Sequence, residues 1–407
     1  MASAQTQTSR PDPNERRWAI ISLASIPLIM TLGNSMLIPI LPLMEEELEI
    51  TKVQSSYMIT MYSIVAIFLI PIAGYLSDRF GRKKVIIPAL IITGIGGLIA
   101  GWVSWKMENP YSLILVGRVL QGIGASGAMP IVLPLVGDMF QRDEDASNTL
   151  GIIETSNTIG KVLSPILGAV LAAMVWFLPF FSIPVFCVIS VLLISFFVKK
   201  HKKETVEKPI TFSIYWDETK KAFKEHGRWM VAIFIIGAIL MFILFGFLFY
   251  LSNILEDKYH YTGVWKGVLL AIPLLALALA SYITGKKIKD DLQVMKWVTF
   301  SGICMTGFSV VFIGLFTSPV YLLALFLLCG SGIVMALPCL DALITKNFKK
   351  TVRGIVSSIY SAMRFIGVAA GPPLIAILMT HPIYWMIGLF ILLSLGASFL
   401  SFKYIKP

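Results

Sequence analysis

The sequence predicts an all-α membrane protein with twelve transmembrane helices, arranged as two pseudo-symmetric bundles of six. Three observations predict this fold: the composition, a regular succession of long apolar stretches, and a repeat of small residues between the two halves. Of the 407 residues, 57% are hydrophobic and 14% are charged, and the mean hydropathy is +0.80. Soluble domains are about 45–50% apolar and about 25% charged. The composition therefore excludes a soluble enzyme, a nucleic-acid-binding domain and a secreted disulfide scaffold.

Apolar stretches alternate with short polar loops from Trp18 onward. Each is long enough for a helix, rising about 1.5 Å per residue, to cross a hydrocarbon core of about 30 Å. The stretches are continuous and lack a two-residue alternation, which favours helices over the strands of a membrane barrel. The predicted spans are 18–42, 53–77, 84–104, 112–138, 147–173, 175–198, 229–254, 263–284, 295–316, 320–345, 353–379 and 383–402.

Polar segments divide these spans into two halves. Residues 18–198 are predicted to form an N-terminal six-helix bundle, and residues 229–402 a C-terminal one. The segment 199–228 between them mixes basic with aromatic residues, so it is either an amphipathic helix at the membrane surface or a solvated cytoplasmic linker. Residues 1–17 and 403–407 are predicted tails, the first of them disordered and without a removable signal peptide.

The distribution of basic residues predicts the orientation in the membrane. Lys and Arg concentrate in the two tails and in the loops on their side, whereas the opposite loops hold Lys52, Lys106, Lys258 and Lys266. Basic loops remain in the cytoplasm, so both termini are expected to be cytoplasmic. The net charge of +11 therefore indicates membrane topology, and no nucleic-acid partner is expected.

Small residues recur at nearly one offset in the two halves. Gly122 and Gly124 of the fourth predicted span align with Gly330 and Gly332 of the tenth, 208 residues later. Further aligned pairs are Pro130 with Pro338, Phe140 with Phe348, Gly160 with Gly367, and Pro165 with Pro372. Repeats of this kind with an even number of spans are the plan of two-bundle secondary transporters, whose substrate binds between the repeats near the midplane.

The loop after the second span carries a pattern suited to a gate. Gly74 permits close helix approach, Gly81 permits a tight turn, and Asp78 suits a helix N-terminus near Gly354. Residues 74–84, Gly-Tyr-Leu-Ser-Asp-Arg-Phe-Gly-Arg-Lys-Lys, resemble the cytoplasmic signature of the major facilitator superfamily at every defined position. The predicted cytoplasmic gate comprises Gly74, Asp78, Arg79, Gly81, Arg82 and Lys83, with Asp138 as a partner of Arg79.

Two further segments resemble motifs of this superfamily. Residues 118–124, Arg-Val-Leu-Gln-Gly-Ile-Gly, are similar to its second motif, whose arginine, here Arg118, is linked to proton transfer. Residues 160–169 resemble the antiporter motif of drug:proton antiporters, in which Gly and Pro thin and bend the helix so that the bundles can seal. Its residues here are Gly160, Ser164, Pro165 and Gly168, and the segment departs from the motif at two positions, where Ser164 and Ala169 each replace a glycine.

Five ionisable residues lie inside predicted spans, namely Arg118, Glu154, Lys161, Asp341 and Arg364. Each isolated charge costs about 2.5–3.5 kcal/mol there, so these side chains are expected to face the interior and to find partners. Lys161 and Arg364 come from opposite halves near the midplane, which suits an anionic or zwitterionic substrate group. Alternatively, they neutralise the two acids. Glu154 is the preferred proton carrier because it shares a helix face with Lys161, and Asp341 is the second candidate.

The lining of the substrate site is predicted from charge and from flexible apolar side chains. Met and aromatic residues of the seventh span suit a pocket for varied amphipathic molecules. Asn34 stands near the position at which some relatives carry an acid that serves cationic drugs, so a preference for cations alone is not expected. The predicted substrate-binding residues are Asn34, Lys161, Arg364, Met241 and Phe245.

The resemblance covers residues 18–402 and implies a major facilitator fold similar to that of the bacterial twelve-span drug:proton antiporters. It implies a proton-coupled exporter of amphipathic small molecules, that is, multidrug efflux by alternating access. The alternative is a dedicated exporter or flippase of an anionic metabolite, a siderophore-like molecule or a lipid. A sensor or scaffold is a third reading. We expect a monomer in the bacterial cell (inner) membrane, driven by the proton gradient, with no enzymatic activity, cofactor or metal site.

Overall fold

The computed structural model describes residues 13–139, 143–198, 212–287, 291–315, 318–347 and 350–405. Within these ranges it contains twelve helical segments long and apolar enough to cross a membrane, which confirms the predicted fold class. The helices are α1 Pro13–Ser35, α2 Leu41–Leu48, α3 Lys52–Phe80, α4 Arg82–Lys106, α5 Tyr111–Met139, α6 Asp143–Met174, α7 Leu178–Phe197, α8 Phe212–Asp257, α9 Gly263–Lys287, α10 Leu292–Val311, α11 Pro319–Asn347, α12 Lys350–Leu378 and α13 Tyr384–Tyr404.

The first membrane span is broken, whereas the sequence suggested one continuous stretch. It runs from Asn14 to Leu48 and consists of α1, a 3-10 turn at Ile38–Ile40, and α2. Pro39 and Pro42 explain the break, because proline supplies no N–H for an α-helical hydrogen bond. The α-helix of the first span is therefore interrupted between Ser35 and Leu41, and α3 then begins at a capping box formed by Thr51 and Gln54.

The repeated glycines make equivalent contacts in the two halves, α1–α7 and α8–α13. A Cβ atom on Gly122 of α5 would collide with the backbone of α3, and one on Gly330 of α11 would collide with Leu277 of α9. Gly124 and Gly332 are likewise closed off, by α4 and α10 respectively. Small residues let helix backbones approach closely in lipid, so the sequence repeat is a repeat of helix packing.

Among the described helices, most contacts between the halves are made by two pairs, α3 with α12 and α6 with α9. In the first pair the Thr60 hydroxyl donates to the Ala369 carbonyl over 2.8 Å. In the second pair a Cβ atom on Gly267 would lie 2.5 Å from the Pro165 carbonyl oxygen. These two contacts lie toward the end of the bundle opposite to the start of α1 and the end of α13. We call that opposite end the distal end, and the other the termini end.

Helix α8 extends well beyond its membrane span toward the termini end. It has 46 residues, whereas its apolar span covers Gly227–Asp257. The predicted linker 199–228 is thus helical from Phe212 and continuous with the span, and residues 199–211 lie outside the described part. Phe223 contacts Phe234 with a ring-centroid distance of 6.2 Å, which ties the extension to the membrane part of α8.

Candidate functional site

Four of the five intramembrane charges converge at the interface of the halves. Glu154 and Lys161 come from α6, Asp341 from α11 and Arg364 from α12. Arg364 Nη1 lies 3.6 Å from Asp341 Oδ1. Lys161 lies within the range of electrostatic interaction with the other three side chains. We call these four residues the central charge cluster. It holds two acids and two bases, so its formal charges cancel.

The central charge cluster is accessible to solvent although it lies deep between the helices. The Asp341 side chain is 51% exposed and the Arg364 side chain 25%, and Glu154 is exposed as well. Asp341 and Glu154 lie in the termini half of their helices, whereas Ser252, between the halves at the distal end, is fully buried. The cluster therefore lines a cavity that is open toward the termini end and closed at the distal end.

Arg364 is held between an acid and an aromatic ring. Its guanidinium carbon lies 5.6 Å from the centroid of Tyr360, on the face of α12 that also carries the contact with Asp341. Tyr360 is in turn packed beside Phe234 of α8, with ring centroids 6.2 Å apart. The Asp341 carboxylate and the Tyr360 ring thus restrain the guanidinium, and a restrained cation loses less entropy when it binds an anion.

Lys161 differs from Arg364 in its partners. Of the side chains that the structure describes, none forms an ion pair with Lys161, and Glu154 accepts a hydrogen bond from Asn157 Nδ2 over 3.2 Å. Sequence reasoning did not single out Asn157. The repeat offered a signal, since Asn157 precedes Arg364 by 207 residues, the offset that relates Gly160 to Gly367.

Arg118 lies away from the cavity and is fully buried in the N-terminal half. Its guanidinium donates to the carbonyls of Met58 and Gly33 over 2.6 and 3.1 Å and to the Gln121 side chain. It also donates to Asn34 Oδ1 over 2.9 Å. Arg118 thus joins α5 to α1 and α3. Asn34, itself buried, faces this cation in the conformation described, and its role in substrate binding stays a prediction.

The two apolar substrate candidates lie on α8. Met241 is 4% exposed, and Phe245 is partly buried beside the hydrophobic core. Met241 is thus closed off by its neighbours in this conformation, whereas Phe245 keeps an accessible edge. Their contact with substrate stays a prediction.

The antiporter-motif residues pack α6 against helices of both halves. A Cβ atom on Gly160 would lie 3.1 Å from the Leu28 carbonyl oxygen of α1, and Gly168 faces the Met36 carbonyl even more closely. On the other side, the Pro165 carbonyl abuts Gly267 of α9. Ser164 directs its hydroxyl back to the Lys161 carbonyl over 2.9 Å, so a small polar residue is accommodated within the motif.

The gate motif lies at the termini end, between α3 and α4. Asp78 pairs with Arg82 over 2.7 Å, and Arg82 also donates to Ser77 Oγ over 2.7 Å. Gly81 has φ +101°, a conformation that side chains disfavour. A Cβ atom on Gly74 would lie 3.2 Å from Ser358 Oγ of α12, so the motif lies at a contact between the two halves.

Arg79 and Lys83 make contacts within the N-terminal half, whereas the third remaining gate residue, Asp138, has a side chain that the structure does not describe. Arg79 donates to the Tyr75 hydroxyl over 3.4 Å. Lys83 donates to the Val198 carbonyl over 2.6 Å, where a cation suits the C-terminus of α7. The Asp138 side chain lies outside the described part of the structure, so its pairing with Arg79 stays a prediction.

Ion pairs close the distal end of the cavity. Lys52 of α3 pairs with Asp257 of α8 and so joins the two halves directly. Lys266 of α9, almost fully buried, pairs with Glu256 over 2.5 Å. Nearby, the Ser252 hydroxyl donates to the Ile38 carbonyl over 3.0 Å. We call these contacts the distal seal.

Breaking the Lys52–Asp257 ion pair of the distal seal is expected to increase the fraction of time for which the distal end is open. In cells that carry Ser252→Cys in a Cys304→Ser background, Asp257→Asn should raise the labelling rate by a membrane-impermeant maleimide about two- to fivefold. An accessible ion pair contributes up to about 1 kcal/mol. The other cysteines, Cys187, Cys329 and Cys339, are buried.

Glu108→Gln supplies the control for this experiment, because Glu108 is an exposed acid in another distal loop. Its labelling rate should equal that of the parent protein. Equal rates for Asp257→Asn and the parent would show that the ion pair does not hold the distal end closed.

Across the described ranges, no group of three or more His, Cys, Asp or Glu side chains is arranged to hold a metal ion. The four cysteines are free thiols.

Comparisons with known proteins agree with this architecture. The model of the Major Facilitator Superfamily matches residues 23–372. The chain is 52% identical over 365 residues to the bacillibactin exporter of Bacillus subtilis (strain 168), covering 89% of this chain and 90% of that protein. It is 24% identical over 395 residues to multidrug resistance protein 2 of the same bacterium, covering 95% of each. The human organic anion transporter MFSD10 (TETRAN) shares the fold, with a TM-score of 0.74 at 17% identity, covering 97% of this chain and all of that one.

Proposed function

The chain belongs to the major facilitator superfamily, and we propose from this premise that it exports an anionic, siderophore-type small molecule by alternating access. It is an integral multi-pass membrane protein, and its bacterial relatives support a place in the bacterial cell membrane. Of the two kinds of exporter that the sequence suggests, we therefore choose the dedicated exporter over the multidrug exporter. The relative at 52% identity over most of both chains carries that choice.

The central charge cluster supports an anionic substrate. Lys161 and Arg364 line the cavity from opposite halves. The affinity for one ligand that contacts both residues therefore depends on the relative position of the halves. A siderophore binds iron through oxygen donors, many of which ionise, because hard metal ions select oxygen ligands. A guanidinium and an ammonium group are the side chains best suited to such oxygens.

The shape of the cavity supports the direction of transport. If the termini lie in the cytoplasm, as the basic loops predict, the cavity described here is open to the cytoplasm and closed by the distal seal. Substrate would enter from the cytoplasm and bind at the cluster. It would leave after the distal seal opens and the helices of the two halves close together at the termini end. A monomer suffices for this cycle.

Proton coupling is part of the proposal, with Glu154 as carrier. Glu154 is exposed to the cavity, and the hydrogen bond that it accepts comes from the neutral Asn157 amide. Asp341, the second candidate, is in contact with Arg364, so a proton there must compete with a cation. We therefore keep Glu154 as the preferred carrier.

Multidrug efflux is the second candidate function. Multidrug resistance protein 2, at 24% identity, covers nearly the whole chain, and the aromatic and methionine side chains of α8 suit amphipathic ligands. A broad specificity for cations would, however, place a cationic ligand beside Lys161 and Arg364.

Transport by everted membrane vesicles tests the proposed function. Vesicles should accumulate metal-free bacillibactin when a proton gradient is imposed, and they should lose this uptake with an uncoupler or with Glu154→Gln. They should not accumulate the cation tetraphenylphosphonium. Uptake of both compounds would favour multidrug efflux over a dedicated exporter. Uptake of bacillibactin that is indifferent to the uncoupler would contradict proton coupling.

A further inference from the structure

Asn157 lies between the two charged residues of α6. It follows Glu154 by three residues and precedes Lys161 by four, so all three lie on one face of the helix. Glu154 and Lys161 are about 10.5 Å apart along the helix axis, a gap that a glutamate and a lysine side chain can span together. The Asn157 amide holds the Glu154 carboxylate one turn short of Lys161, with an Nδ2 to Oε1 distance of 3.2 Å.

The Asn157 side chain is itself fixed by α1. Its Oδ1 accepts a hydrogen bond from the Thr31 hydroxyl over 2.5 Å, and Asn157 and Thr31 are both buried. With Oδ1 occupied by a donor on the α1 side, Nδ2 must point to the cavity side, where Glu154 lies. The chain of contacts from Thr31 through Asn157 to Glu154 therefore runs from the core of the N-terminal half to the central charge cluster.

We propose that Asn157 is a positioning residue that keeps Glu154 from pairing with Lys161, and so leaves Lys161 available to an anionic substrate. The proposal rests on the proposed function, in which Lys161 binds the anion. The charged groups around Glu154 are Lys161 on its own helix, Asp341 on α11 and Arg364 on α12. Arg364 already contacts Asp341, so Lys161 is the cation that a released Glu154 would occupy.

The repeat supports a special role for this position. Asn157 and Arg364 are equivalent in the two halves, and both contact an acid of the central charge cluster. In the C-terminal half the position holds a cation that is paired with its acid. In the N-terminal half a neutral amide binds the acid instead, and the cation, Lys161, stands one turn away. The cluster is thus asymmetric, with one paired and one available cation.

The test is a double-mutant cycle on the purified full-length protein in detergent, with the affinity for metal-free bacillibactin as the readout. Asn157→Leu should weaken binding about fivefold, which corresponds to the roughly 1 kcal/mol of a solvent-accessible ion pair that the ligand must then displace. In a Glu154→Gln background the same substitution should have no effect, because no carboxylate remains to compete. A merely structural role of Asn157 would weaken binding equally in both backgrounds.

Two variants of Thr31 provide a second test with a smaller structural change than Asn157→Leu. Thr31→Val removes the hydroxyl at nearly constant shape and should weaken binding in the same direction, whereas Thr31→Ser keeps the hydroxyl and should not. Unchanged affinity in both Asn157→Leu and Thr31→Val, or an Asn157→Leu effect that persists with Glu154→Gln, would overturn the inference. Unchanged affinity in Lys161→Gln would instead overturn the role of Lys161 in the proposed function.

Discussion

Exchange of Lys161 for glutamine is expected to lower kcat/KM for export of metal-free bacillibactin about 10- to 100-fold. A hydrogen bond to a charged group contributes about 1.5–3 kcal/mol, and glutamine removes the charge while keeping a polar, shorter side chain. Lys161 has no ion-pair partner among the described side chains, so this loss falls on the substrate interaction and not on a protein contact. Initial rates in everted vesicles, corrected for the amount of transporter, measure it.

The controls separate the charge from the fold. Lys161→Arg should keep a substantial part of the activity, because it preserves the charge at altered geometry. Lys403→Gln makes the same chemical change at the termini end of α13, far from the cavity, and should leave transport unchanged. Wild-type kcat/KM in Lys161→Gln would rule out Lys161 as the anion-binding residue.

Arg364 should behave differently, because it has a partner in the protein. Arg364→Gln leaves Asp341 without its cation, so it should reduce the thermal stability as well as transport. Adding Asp341→Asn should restore stability but not transport, since the double variant removes both charges together. Restored transport in the double variant would mean that the pair is structural and that substrate binding does not need Arg364.

The sequence was sufficient for the architecture because lipid imposes strong constraints. Twelve apolar stretches require twelve helices, and Gly124 and Gly332 mark equivalent helix contacts because a backbone carbonyl of the neighbouring helix leaves no room for a side chain there. The prediction that intramembrane charges find partners holds for Arg364, which contacts Asp341. Such statements need only the chemistry of one residue and its place in a span.

The details of the site depended on three-dimensional relations that no single stretch encodes. The sequence predicted that Lys161 lies near the membrane midplane. It did not predict the hydrogen bonds by which Thr31 and Asn157 restrain Glu154. It also predicted that Arg118 lies inside a membrane span, but it did not predict the neutral hydrogen-bond acceptors that surround this residue. These partners come from α1, α3, α5 and α6, and most of them are brought together by helix packing rather than by spacing along the chain.

Helix packing is tight at Gly168, where we expect a single methyl group to disrupt the protein. A Cβ atom there would collide with the Met36 carbonyl oxygen at the break of the first span. The obstacle is backbone, so no side chain can rotate away, and α1 and α6 must separate. Overpacking of a tight contact costs about 1–3 kcal/mol, occasionally more, and here it also displaces Pro165 from its contact with α9.

Three glycines of α6 provide a graded series for this expectation. Gly151→Ala meets nothing within 4 Å, Gly160→Ala meets the Leu28 carbonyl at 3.1 Å, and Gly168→Ala is the most crowded. Thermal unfolding in detergent and vesicle transport should be unchanged for the first, moderately reduced for the second and severely reduced for the third. Equal behaviour of all three would mean that α1 and α6 separate freely, and that the small residues of the antiporter motif do not hold the first span against α6.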